Sequence, residues 1–126
     1  MRALTILALV AALAMLTAGC AATRTAAADK TAAAPREITV TGTEMAFAPA
    51  TIELTAGQPV KLTFRNNGMV EHAWQGQIGG ETIALTAQPR QSASKTFTPQ
   101  TPGTYKFICS VPGHEQAGMV ATVTVR

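Results

Sequence analysis

From Glu37 to the C-terminus the chain repeatedly alternates apolar and polar residues at every second position. That period places one face of an extended strand in a core and is not the period of an amphipathic helix. Ile38 and Val40 alternate with Thr39 and Thr41. Val60, Leu62 and Phe64 alternate with Lys61, Thr63 and Arg65. Tyr105, Phe107 and Cys109 share one parity, and Ala121, Val123 and Val125 alternate with Thr122, Thr124 and Arg126. Turn signals separate these runs: Ala56-Gly57-Gln58-Pro59, Asn66-Asn67-Gly68, Gly79-Gly80, Gln88-Pro89, and Pro99 through Gly103. No stretch after residue 36 carries helical periodicity. The pattern therefore predicts an all-β domain, a Greek-key antiparallel β-sandwich of about seven to eight strands. A sandwich alone specifies no function.

The core-forming part is residues 36–126. All six aromatic residues (Phe47, Phe64, Trp74, Phe97, Tyr105 and Phe107) lie there, whereas 14 of the 24 alanines fall in the first 35 positions. One domain of this length buries a single compact core. The first 19 residues read as a signal peptide. Arg2 supplies a positive end, and the uncharged run Ala3–Leu16 falls short of the about 20 residues a membrane span needs. The run ends Leu16-Thr17-Ala18-Gly19-Cys20, small residues before a cysteine that resemble a bacterial lipobox, with Thr17 where leucine is preferred. Cys20 is the expected lipidation site and mature N-terminus, which anchors the protein to a membrane outside the cytoplasm. Residues 20–35 then form a lipidated N-terminus and an Ala/Thr-rich tether. With 13% charged residues, a net charge of +3 and no basic run, nothing suits nucleic acid.

Lipidation of Cys20 leaves Cys109 as the one thiol of an oxidising compartment. It is a buried inert residue, a reactive nucleophile or a metal ligand. Its surroundings favour the last. Cys109-Ser110-Val111-Pro112-Gly113-His114-Glu115-Gln116-Ala117-Gly118-Met119 spells C-x4-H-x4-M, and a turn rich in Gly and Pro can fold three such side chains onto one point. The second of the chain's two histidines, His72, follows a strand and a turn. Two imidazoles, a thiolate and a weak axial thioether are the ligand set of an electron-transfer copper site, and a structural zinc site rarely uses methionine.

Residues 44–126 resemble the cupredoxins, the blue (type 1) copper family. The likeness rests on Phe47 through Val60, on Asn66-Asn67-Gly68-Met69-Val70-Glu71-His72, on Pro102 through Cys109, and on the ligand loop. Cys-Ser-Val-Pro-Gly-His is similar to the azurin branch, and the H-x4-M spacing to the auracyanin or rusticyanin branch. The resemblance implies one copper ion held by His72, Cys109, His114 and Met119, with no catalytic residue. It implies that backbone N–H groups of Ser110 and Val111 face the sulfur and that Pro112 contributes none. It also implies an electron port at His114, ringed by Val111, Pro112, Ala117 and Met69, where redox partner proteins dock. Relatives often place Asn or Asp after the first histidine to brace the loops; here Ala73 stands there, so that brace is either missing or replaced by Asn66 or Asn67.

The resulting expectation is a monomeric, membrane-tethered one-electron carrier, not an enzyme. The competing expectation is an envelope protein that delivers or buffers copper, for which Met45 and Met69 offer additional thioethers. Trp74 is expected in the core rather than on an electron path.

Overall fold

The computed structural model describes residues 34–126, so the expected signal peptide, Cys20 and most of the tether lie outside the described residues. Nine strands follow one another: β1 Arg36–Thr43, β2 Ala46–Ala48, β3 Thr51–Leu54, β4 Val60–Asn66, β5 His72–Ile78, β6 Glu81–Ala87, β7 Ser92–Phe97, β8 Gly103–Ile108 and β9 Val120–Val125. They form two facing sheets, ordered β2-β1-β4-β7 and β3-β9-β8-β5-β6. The all-β sandwich expected from the alternation is present. Its finer pattern differs in two ways: there are nine strands, and β1 pairs with β4 and β3 with β9 in parallel. The physical reason lies in the connections. A parallel pair needs a crossover of a dozen or more residues; the segment 44–59, which carries β2 in one sheet and β3 in the other, supplies it for β1 and β4, and the chain from β4 to β8 supplies it for β3 and β9.

Alternation fixes the register wherever one face is buried. Val60, Leu62 and Phe64 of β4 are fully buried while Lys61 and Arg65 face solvent. From the opposite sheet Trp74, Ile83, Phe107 and Val123 complete the core. Trp74 stacks on Phe107 with ring centroids 3.9 Å apart, as a core residue does. Gly76 makes that position available: a Cβ there would meet the Phe107 ring at 2.6 Å.

Two poles result. At one, Arg36 N–H donates to the Pro59 carbonyl, Ala56 N–H donates to the Arg126 carbonyl, and Arg36 and Arg126 both reach Glu53. At the other lie Thr43, Asn66, His72 and Cys109, where β1, β4 and β8 end and β5 begins.

Candidate metal centre

β5 and β8 pair only at Gln75–Ile108 and Gly76–Phe107. Beyond those rungs the strands part, and the gap receives Cys109. Cys109 continues towards β9 through its N–H on the Met119 carbonyl at 3.0 Å. The loop between them is closed by its own backbone: His114 N–H donates to Val111, Ala117 to Gly113, and Met119 back to the His114 carbonyl. Gly113 and Gly118 have φ of 84° and 95°, a region that favours glycine, and so let the loop turn twice within ten residues.

This folding brings together three of the four expected ligands. His72 Nδ1 lies 3.2 Å from His114 Nδ1 and 3.9 Å from Cys109 Sγ, and His114 Nδ1 lies 3.3 Å from Sγ. The circumcentre of a triangle with those sides lies about 2.0 Å from each corner, close to the about 2.0–2.1 Å of metal–nitrogen and about 2.3 Å of metal–sulfur bonds. A single soft transition-metal ion is what this donor set fits. Met119 is fully buried and its backbone bonds to both Cys109 and His114. His72 is fully buried and His114 half-buried. Burial pushes the pKa of His72 below its usual 6.5, with the His114 charge adding to the effect and Glu44 opposing it. The neutral imidazole that a metal requires is thereby favoured.

The hydrogen bond to sulfur comes from an unexpected residue. The backbone N–H of Ala73 donates to Cys109 Sγ at 3.3 Å, the role expected of Ser110 and Val111. Its source is the parting of β5 from β8: once Ala73 has no rung on β8, its N–H is free to turn to the thiol.

Of the two asparagines that could brace the loop, the structure uses Asn66. Fully buried at the end of β4, it donates through Nδ2 to the Val70 carbonyl at 2.7 Å and to the Ala87 carbonyl at 2.9 Å. Its Oδ1 accepts from Gly68 N–H at 2.8 Å. The segment leading into His72 is thus tied to β4 and to β6. Around the site, Pro112 and Ala117 are exposed and Val111 half-buried. Met69 and Val70 are 72% and 45% exposed, and the Met69 sulfur lies 3.8 Å from the Arg90 guanidinium, out in solvent.

Sequence reasoning missed Glu44. Its Oε1 lies 3.7 Å from His72 Nε2 and accepts the Met69 N–H, which holds its carboxyl below the usual range. No local signal marks a glutamate in a turn so far from the histidine it faces.

Residues 6–125 match the family model described as a cupredoxin-like domain. The chain is 30% identical over 119 residues to auracyanin-B of Chloroflexus aurantiacus, covering 71% of this chain and 51% of that protein. It is 29% identical over 108 residues to the copper-resistant cuproprotein CopI of Rubrivivax gelatinosus, covering 69% and 64%. It therefore spans about half to two thirds of these relatives. The solved structure of auracyanin A, a "blue" copper protein from a green thermophilic photosynthetic bacterium, Chloroflexus aurantiacus, superposes with a TM-score of 0.65 at 27% identity, over 74% of this chain and 100% of that one.

Proposed function

Because the chain belongs to the cupredoxin-like domain family, we propose that it is a type 1 (blue) copper protein carrying one electron at a time at the bacterial cell envelope. The observation that carries this reading is the triangle of His72 Nδ1, Cys109 Sγ and His114 Nδ1 at the parted ends of β5 and β8. These three atoms, Cys109 as thiolate, together with the thioether of buried Met119 would hold the copper. Copper supplies the one-electron couple. The chain supplies rigidity: the Asn66 ties and the hydrogen-bonded loop hold the donors in nearly the same places in both charge states. The Ala73 N–H draws charge from the sulfur and so favours the reduced state. Four protein donors leave no open position for a substrate, which suits a carrier rather than an enzyme.

His114, half-buried beside exposed Pro112 and Ala117, is the electron port, and a small apolar surface there suits brief encounters with redox partners. The expected leader 1–19, lipidation at Cys20 and tether 20–35 support an extracytoplasmic, membrane-tethered protein with the copper domain at 36–126. An absorption spectrum of the Cu(II)-loaded protein tests the reading. It should show an intense thiolate-to-copper band near about 600 nm that bleaches and returns on reduction and reoxidation. A colourless protein that takes up Cu(I) without reversible oxidation refutes it.

That second outcome would support copper delivery or buffering. The likeness to CopI, named as a copper-resistant cuproprotein, and the exposed thioethers of Met69 and Met45 favour this as the second reading.

A further inference from the structure

Glu44 sits at the tip of the β1–β2 hairpin, in a two-residue turn between the paired Thr43 and Ala46. The second turn residue, Met45, has φ 64°, a left-handed conformation that is costly for a residue with a side chain. The hairpin so formed carries the Glu44 carboxylate over the ring of His72. The nitrogen it faces is Nε2, the one not used in the triangle with His114 and Cys109. Nε2 is buried and has no hydrogen-bond partner. Gly68 keeps the two groups within reach: a Cβ there would lie 2.5 Å from Glu44 Oε1 and 2.8 Å from His72 Nε2. Any larger residue would wedge between them. The Met69 N–H fixes the same carboxylate oxygen from the side.

We propose that Glu44 is the positioning residue of the His72 ligand, accepting the Nε2–H of His72 when the site holds its metal. The inference rests on the copper reading above. An imidazole that binds a metal through Nδ1 carries its remaining proton on Nε2, and a buried N–H without an acceptor is unfavourable. Metal-bound histidines generally give that proton to a carboxylate, a carbonyl or water, which fixes the tautomer and ring plane and makes the imidazole a stronger donor. The 3.7 Å separation is longer than a hydrogen bond. Glu44 has a side chain 47% exposed, so a small shift of its carboxylate, pivoting on the Met69 N–H, would bring an oxygen within reach of Nε2 while the core stays in place. A carboxylate in contact with one imidazole also favours the more highly charged metal state, so Glu44 lowers the reduction potential. This opposes the pull of the Ala73 N–H on the sulfur.

The test compares the copper-loaded full chain with Glu44→Gln, Glu44→Ala and, as a control, Glu71→Gln. Glu71 adjoins His72 in sequence, but its carboxylate pairs with Gln88. Three quantities are measured: the reduction potential, the exchange rate of the His72 Nε2–H by NMR in the diamagnetic Cu(I) form, and the thermal midpoint of the metal-free protein. Glu44→Gln should shift the preference about tenfold towards Cu(I), a rise of about 59 mV for one electron, while its amide oxygen keeps the Nε2–H protected. Glu44→Ala should raise the potential at least as far and speed Nε2–H exchange about tenfold or more. Glu71→Gln should shift the preference less than about twofold. Equal shifts from Glu44→Gln and Glu71→Gln, or unchanged Nε2–H exchange in Glu44→Ala, overturn the proposal. So does a loss of metal-free stability with no change of potential. A wild-type protein without the blue band or a reversible couple fails the copper reading itself, a result separate from any behaviour of the Glu44 variants in a protein that is blue.

Discussion

Replacing Asn66 by alanine should be among the more damaging single changes at this end of the sandwich. The side chain makes three hydrogen bonds, and their loss is unequal. The buried Gly68 N–H loses its acceptor and the buried Ala87 carbonyl loses one of its donors, whereas Val70 is an exposed residue whose carbonyl water can reach. The orphaned Gly68 N–H costs about 1–3 kcal/mol and the bond lost at Ala87 about 1 kcal/mol, so about 3 kcal/mol is expected in total. For a domain of about 90 residues, 1 kcal/mol corresponds to about 4–8 °C, and the metal-free variant should melt about 12–24 °C lower. Urea unfolding followed by Trp74 fluorescence measures the loss directly, with an unchanged slope if only the folded state is affected. Asn66→Asp sharpens the test. It keeps the acceptor for Gly68 N–H but turns an oxygen towards two carbonyls. It should be at least as destabilising at neutral pH and partly recover in acid, where the protonated carboxyl donates one bond. A cost below about 1 kcal/mol for Asn66→Ala would refute the brace.

Gly76→Ala places a methyl 2.6 Å from the Phe107 ring and should cost about 1–3 kcal/mol in the same unfolding assay, with the Trp74–Phe107 stack displaced. The metal-free protein should lose stability as pH falls below 6.5: the unfolded chain then protonates His72 while burial keeps the folded one neutral, and the loss ends once the folded His72 also protonates. Melting curves between about pH 7.5 and 5 check this, with His72→Gln expected to flatten the dependence. Met119→Leu should leave the blue band, because Cys109 and both histidines remain, but raise the reduction potential by removing a donor that favours Cu(II); an unchanged potential would place the Met119 sulfur outside the coordination sphere.

The strands that alternate were legible because a half-buried surface enforces a period of two, as β4 and β9 show. The ligand loop was legible because Cys109, His114 and Met119 lie within one short segment whose glycines allow the tight turns that bring them together. What remained hidden depends on contacts between segments remote in sequence. The parallel pairings join strands that share no turn, so no turn signal announces them. The Ala73 N–H reaches sulfur only because two strands separate after Gln75, an event of the sheet and not of either strand alone. Asn66 and Asn67 are the same residue type side by side; parity alone separates them, since Asn66 shares the inward face of Val60, Leu62 and Phe64. Glu44 belongs to a polar turn, and only the folded hairpin shows what it overlooks.

The meeting of Arg36 and Arg126 on Glu53 has a consequence for how the molecule can be held. Arg36, where β1 begins, lies at the pole opposite His72 and Cys109. A short attachment made beside Arg36, to a bead or an electrode, would point the donor cluster outward like the tip of a probe. An attachment grafted into the 110–119 loop would turn the molecule over and press that tip against its support.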